Sequence, residues 1–359
     1  MPKYTSEDLL QSVQEILPLI AQQAPQAEKI GHLTDTLLNQ LFDLGVFKLF
    51  VTEKYHGHSC DLPTALKIFE LMSSADGATG WLVMIGAGGG LFSGFIEESA
   101  AREIFSPKRA VIAGSGMASG FAKTQAGGYE VSGRWPYASG AYHASWFTAN
   151  CKIDGDDAQI RSIAVPAKHV EIHQTWDVFG MKATGSHDFS IKPRLIESRF
   201  AFSLFENPIL DEPIFYCPLD TLASLTFTSV AIGIARHALS EFKDFAESRK
   251  RLPNDASLQA LQQAEELIHN AKEELYRLAD DVWQRALLGL HPDKKLHQQV
   301  DTNCITIVQD SVKAVDLLKA RAGMMAVKNN STFGRAWRDL HTLSQHVIIS
   351  PKETHRLFR

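Results

Sequence analysis

Cysteine is scarce in this chain: four thiols among 359 residues, Cys60, Cys151, Cys217 and Cys304, no two of them close in sequence. That spacing excludes a Cys-x-x-Cys pair and offers no disulfide framework, so a reducing, cytoplasmic setting is expected. Clustered positive charge is missing as well. Charged residues make up 21% of the sequence, the formal net charge is -5 and the basic residues are scattered, which leaves no electrostatic footprint for nucleic acid. Glu7 and Asp8 stand where an export signal would need a basic region and then an apolar core, so no export address is expected and the mature chain is expected to start near Met1.

Several catalytic signatures are also absent. No Gly-x-Gly-x-x-Gly lies between a strand and a helix, and the run Gly86 to Gly90 fails that test. Neither a Gly-x-Ser-x-Gly elbow nor a Gly-Lys-Ser/Thr phosphate loop occurs, and the spacing from Ala113 to Gly120 is wrong for either. Despite fourteen histidines there is no His-Glu-x-x-His, and His56 with His58 has only Cys60 close by, so no metal site is expected. Long hydrophobic runs are nearly absent too. Gly77 to Ile96 carries no charged side chain and approaches the roughly 20 residues needed to cross a bilayer. Its seven glycines and the bracketing Asp76, Glu97 and Glu98 point instead to a buried, tightly packed helix, and no membrane partner is expected.

What is present divides into three stretches, and the length is enough for two or three packed units. From Ser6 to about Phe105 apolar residues recur at helical spacing, as in Leu9, Leu10, Val13, Ile16 and Leu17 and again in Leu33, Leu37, Leu38, Leu41 and Phe42. Gly45 reads as a stop, and a further helix is expected to begin near Pro63. Between Arg109 and about Phe202 short β-compatible runs alternate with turn signals: Ala110 to Ala113, Tyr129 to Ser132, Trp146 to Lys152, Ile160 to Val165 and Phe189 to Ile191. Strands at this spacing suggest a small barrel or sandwich. Long helices then return over Leu219 to about Arg249, Ser257 to about Leu290 and Gln298 to about Ala326, with a shorter one from Arg335 to Val347, which predicts a four-helix bundle.

Three segments carry a resemblance: Gly133-Arg-Trp-Pro-Tyr-Ala-Ser-Gly140, Gly180-Met-Lys-Ala-Thr-Gly-Ser-His-Asp188, and the tail from Arg338-Asp339 to His346. With the helix, strand, helix order they resemble the acyl-CoA dehydrogenase-like superfamily over nearly the whole chain. Within it the sequence is most similar to the oxygenase components of two-component flavin-dependent monooxygenases, of the 4-hydroxyphenylacetate 3-hydroxylase, 3-HSA hydroxylase and dibenzothiophene monooxygenase type. The resemblance implies an α+β multidomain fold: an N-terminal helical domain over 1–107, a central small β-barrel over 108–212 and a C-terminal four-helix bundle over 213–359. It also implies reduced FMN or FAD from a separate flavin reductase, hydroxylation of a small aromatic or heteroaromatic substrate with O2 through a flavin C4a-hydroperoxide, and a homotetramer.

The tail separates the reaction classes. A dehydrogenase of this superfamily places a glutamate just after Arg-Asp, and here that place is Val347. The alternative source, the first bundle helix, offers Asp220 as its single acid between Pro213 and Ser240. The resemblance puts His346 at the flavin and substrate, where an imidazole titrating near neutral pH is expected to deprotonate the substrate or hold a proton for the flavin adduct. Without the resemblance the same residue reads as a histidine near a helix end.

The resemblance further places Tyr137, Ala138 and Ser139 along the flavin's reactive edge, with Ser139 supplying a hydroxyl. From its residues alone, Ser139-Gly140 reads equally as a turn. Gly114 and Ser115 are expected to bring backbone to the isoalloxazine or to form a strand-end turn. Arg249 and Arg251 are expected at the flavin phosphates or at a solvated helix end, and Gly323 at a close approach to the cofactor or in helix packing. Trp135 and Trp146 read as core. Two rival functions stay open at this point: an acyl-CoA dehydrogenase-like oxidase or dehydrogenase using Asp220, and a non-catalytic member of the fold.

Overall fold

The computed structural model describes residues 5–248 and 254–351. Five helices come first: α1 (Ser6–Ile30), α2 (Asp35–Leu44), α3 (Leu62–Ser73), α4 (Gly77–Gly89) and α5 (Glu98–Phe105). Their starts follow from side-chain caps. Thr5 and Asp8 form a reciprocal capping box on α1, while Thr34, Asp61 and Asp76 accept the first free amides of α2, α3 and α4. Pro63 sits in the first turn of α3, and Gly45 ends α2 at φ +71°.

The charge-free stretch breaks at Gly89 into α4 and a 3-10 turn over Gly90–Gly94. At 1.5 Å per residue α4 is about 20 Å long, short of a roughly 30 Å bilayer core. All of its residues are buried except Ile85 and Gly88.

The middle of the chain is one mixed sheet of seven strands: β1 (Ile112–Gln125), β2 (Gly128–Ala138), β3 (Trp146–Ile153), β4 (Asp156–Pro166), β5 (Glu171–His173), β6 (His187–Glu197) and β7 (Ala201–Phe202). Their order is β5-β6-β2-β1-β3-β4-β7, with β1 and β3 parallel and every other neighbour antiparallel. Trp135 is fully buried on this sheet, stacked on Phe189 at 5.1 Å and donating Nε1–H to the Asn150 carbonyl at 2.9 Å. Trp146 is also buried and packs on Phe200. Both tryptophans belong to the core.

Four helices follow: α6 (Leu219–Ser248), α7 (Asp255–Leu287), α8 (Lys294–Ala322) and α9 (Thr332–Leu343). Packing against α3, α4, α7, α8 and α9 makes α6 the central strut of the C-terminal half. Among the described residues it is the one helix long and apolar enough to cross a membrane, and 83% of its apolar window is buried inside the protein, as in a core helix.

Candidate functional site

The Arg338-Asp339 pair forms a junction. Arg338 Nη2 donates to Glu28 Oε1 of α1 at 2.6 Å, and Arg335, one turn earlier and buried, reaches Asp76 Oδ1 at the start of α4 over 3.5 Å. Asp339 Oδ1 accepts the backbone N–H of Met181 at 2.5 Å. Gly180 packs so closely that a Cβ there would lie 2.1 Å from the Arg338 carbonyl oxygen, which is why the 180–186 loop needs glycine at this point. The tail, α1, α4 and the loop are thus held at one place. Burial, reinforced by the neighbouring Asp76 charge, pushes the Asp339 carboxyl well above the usual carboxylate range.

From that junction a line of hydroxyls runs to the sheet. The Met181 carbonyl accepts from Thr184 Oγ1 at 2.8 Å and from Trp176 Nε1 at 3.0 Å. Thr184 Oγ1 lies 2.7 Å from Ser186 Oγ, which lies 2.8 Å from Ser139 Oγ just beyond β2. Ser139 Oγ also accepts Trp81 Nε1–H of α4 at 2.9 Å. The Thr184 carbonyl takes Gly140 N–H at 2.9 Å and pins the 139–140 turn to the loop.

Trp81 connects this line to the tail. Its ring centroid is 4.7 Å from Phe227 of α6 and 5.8 Å from His346, and the Phe227 and His346 rings meet edge to face at 4.7 Å. Ser139 and His346, far apart in sequence, therefore share Trp81 as a neighbour. Burial lowers the His346 pKa to about 4, so the ring is neutral at physiological pH. Ile348 N–H donates to its Nδ1 at 3.3 Å, which leaves the hydrogen on Nε2. The imidazole titrating near neutral pH that the sequence suggested is corrected to a neutral donor, because desolvation by the surrounding aromatic rings outweighs its intrinsic basicity. Val347 is exposed.

Trp81, Ile85 and Gly88 stand at i, i+4 and i+7 on one face of α4. Gly88 is half-buried, and a Cβ there would meet nothing within 4 Å. On α6, Phe227 and Ala223 form one face a turn apart. Beyond Ser139 and His346 the constellation is apolar. Two surface cavities, of about 170 and 330 Å³, lie elsewhere, near Phe95 and the 198–209 segment, and neither is lined by Ser139, Trp81 or His346.

Residues 225–351 match a family described as acyl-CoA dehydrogenase, C-terminal domain. Over 337 residues, 91% of this chain and 86% of the relative, the sequence is 26% identical to an indole-3-acetate monooxygenase of Acinetobacter baumannii. The chain is similar in sequence to flavin-dependent monooxygenases. The 3-HSA hydroxylase from Rhodococcus sp. RHA1 superposes with a TM-score of 0.92 at 21% identity, covering 98% of this chain and 95% of that one. XiaF from Streptomyces sp., solved in complex with FADH2 and glycerol, gives 0.91 at 22% identity over 98% and 94%. The fold is therefore that of these monooxygenases, with an acyl-CoA dehydrogenase-like C-terminal domain.

Against this monooxygenase fold the remaining sequence-predicted residues fall as follows. Tyr137 is 64% exposed and left-handed at φ +65°, with its ring against Trp176 at 6.2 Å, where β2 loses register with β6. Ala138 is buried in β2 opposite His187. Gly114 and Ser115 lie in β1 beside Thr148 and Ala149 of β3, and a Cβ at Gly114 would strike Thr148 Oγ1 at 2.0 Å, so strand packing already requires this glycine. Gly323 ends α8 at φ +57° and ψ -136°, a conformation that suits glycine, with open space around it. Among the described residues no hydrogen bond or ring contact links Gly323 to Ser139 or His346. Arg249 and Arg251 lie outside the described residues. Sequence reasoning missed Trp81, Phe227, Thr184 and Ser186 as partners. The signal available for the last two was a pair of hydroxyls inside the Gly180 to Asp188 segment, which carries the resemblance but no expected site residue.

Proposed function

We propose that this protein is the oxygenase component of a two-component flavin-dependent monooxygenase, taking reduced FMN or FAD from a separate reductase and hydroxylating a small aromatic or heteroaromatic molecule with O2. The observation that carries this reading is the convergence of Ser139 and His346 on Trp81, in the fold of enzymes of that class. A flavin ring is flat and apolar with one polar edge, and the residues present suit it: aromatic and aliphatic surface from Trp81, Phe227 and Ile85, space above Gly88, and polar atoms at Ser139 and His346. When bound, reduced flavin supplies the two electrons with which one oxygen atom enters the substrate and the other leaves as water.

The chain's own residues divide the remaining work. His346 offers Nε2–H as a neutral hydrogen-bond donor, and Ser139 offers its oxygen. The buried rings of Trp81 and Phe227 exclude water, which protects a reactive flavin from wasteful peroxide release. The α4 face formed by Trp81, Ile85 and Gly88 carries no ionisable group, which favours a neutral ring system over a charged phenol. The indole ring of the indole-3-acetate named for one relative is such a neutral ring system, with its charge confined to the acetate side chain.

Dehydrogenation by Asp220 is disfavoured. That carboxylate is exposed, faces His297 Nε2 at 3.5 Å and stands about two turns of α6 from Phe227. The proposal extends to the layout: a helical domain over 1–107, a small β-barrel over 108–212 and a four-helix bundle over 213–359. It also includes Tyr137, Ala138, Gly114, Ser115 and Gly323 beside the flavin, Arg249 and Arg251 toward its phosphates, a homotetramer, and a cytoplasmic setting. His346→Ala tests the catalytic core of this reading: product per reduced flavin should fall at least tenfold with flavin affinity nearly intact, and wild-type coupling in the variant would remove the assignment.

A further inference from the structure

The hydroxyl line between Ser139 and Met181 has a fixed direction. Trp81 Nε1 can only donate, so Ser139 Oγ accepts from it at 2.9 Å. At the other end the Met181 carbonyl can only accept, so Thr184 Oγ1 gives it the single hydrogen it owns, at 2.8 Å. Thr184 must then accept from Ser186 Oγ at 2.7 Å, and Ser186 from Ser139 Oγ at 2.8 Å. The reverse order would leave two acceptor oxygens, those of Thr184 and Met181, facing each other 2.8 Å apart with no hydrogen between them. All three hydroxyl residues are buried, with Thr184 1%, Ser186 4% and Ser139 8% exposed, so water is poorly placed to relieve such a clash. Ser139 has therefore spent its hydrogen and keeps one free lone pair.

This matters because N5 of a flavin changes character with redox state. Reduced flavin carries a hydrogen on N5, whereas oxidised flavin presents a lone pair there. Resting on the proposed cofactor reading, we infer that Thr184 and Ser186 are positioning residues that hold Ser139 as a pure acceptor and so make the site favour reduced over oxidised flavin. With N5 on the flavin edge that faces Ser139 in the proposed cofactor reading, an acceptor there suits an N5–H and repels a bare N5. Removing either relay hydroxyl frees the Ser139 hydrogen to turn outward and donate, which improves the fit to oxidised flavin and worsens it to reduced flavin.

The experiment measures dissociation constants for oxidised FMN and FAD, and for the same flavins reduced anaerobically with dithionite, in wild type, Ser186→Ala, Thr184→Val and Thr184→Ser. Wild type should prefer the reduced form. Ser186→Ala and Thr184→Val should narrow the oxidised-to-reduced ratio by roughly three- to tenfold, while Thr184→Ser, which keeps the hydroxyl, should hold the wild-type ratio. Melting curves establish that each variant is folded. An unchanged ratio in the folded Ser186→Ala and Thr184→Val proteins, or a wild type that binds both forms equally, would overturn the inference alone. A wild type that binds neither form of either flavin would overturn the cofactor reading and the inference with it.

Discussion

Trp81 on α4 donates its indole N–H to Ser139 Oγ at the end of β2 over 2.9 Å, and this bond joins the first helical stretch to the sheet beside the aromatic contact with His346. Trp81→Phe preserves the ring against Phe227 and His346 but removes the donor. The variant should lose about 1 kcal/mol of stability and form less product per reduced flavin consumed. Denaturant unfolding and a peroxide assay check the two effects, and coupling at the wild-type level would show that the bond has no part in the reaction.

Because burial holds the His346 pKa near 4, its charge state should not change between pH 5 and 8. Product formation should therefore show no inflection near pH 6.5 that disappears in His346→Gln. Such an inflection would mean that His346 ionises in the working enzyme and acts as a base.

The same burial has a cost in acid. His143, His237 and His346 are each lowered to about 4 by desolvation, while in the unfolded chain each imidazole titrates near its ordinary value of about 6.5. Between these values the unfolded state binds more protons, so stability is lost as pH falls from 6.5 to 4, by up to roughly 3 kcal/mol per histidine. Unfolding measured at pH 7 and pH 4.5 should show a smaller difference in His237→Leu than in wild type. An equal difference would contradict the assignment.

Lys48 is 1% exposed, its ammonium donates to the Tyr55 carbonyl at 2.9 Å, and burial lowers its pKa to about 8. Below pH 8 the folded protein bears the full penalty of a buried charge, and the penalty disappears as pH rises from 8 to 10.5. Lys48→Met should accordingly raise stability at pH 7 by roughly 1–3 kcal/mol, with the gain shrinking toward pH 10. A destabilised variant at pH 7 would show that the amine contributes more than it costs.

At the junction, Asp339→Ala leaves the buried Met181 N–H without an acceptor and should cost about 1–3 kcal/mol. Asp339→Asn keeps an acceptor oxygen for that N–H and stays neutral beside Asp76, as the buried carboxyl itself favours, so its loss should be clearly smaller. Equal losses in the two variants would contradict the account of the junction.

The helices were legible where local chemistry decides: Gly45 and Pro63 marked their termini, and apolar spacing marked α6 to α9 to within a few residues. The sheet was less legible. β1 runs on to Gln125, past the Ala110 to Ala113 run and the Gly114-Ser115 pair that also reads as a strand-end turn, because pairing with β2 and β3 overrides weak β-propensity. β5 and β7, of three and two residues, are too short to carry a period. For the site, the sequence pointed to Ser139 and His346 by resemblance but could not show that Trp81 lies between them. Nor could it show that Asp339 bonds Met181, 158 positions earlier, since such contacts arise from tertiary packing alone.

Whether the protein holds a reduced flavin that reacts with oxygen is read by mixing it anaerobically with reduced FMN or FAD, adding oxygen, and following the return of oxidised-flavin absorbance together with free peroxide. Reoxidation should be delayed well beyond that of free flavin, with little peroxide released during the delay. Reoxidation at the free-flavin rate with stoichiometric peroxide would contradict the proposed function.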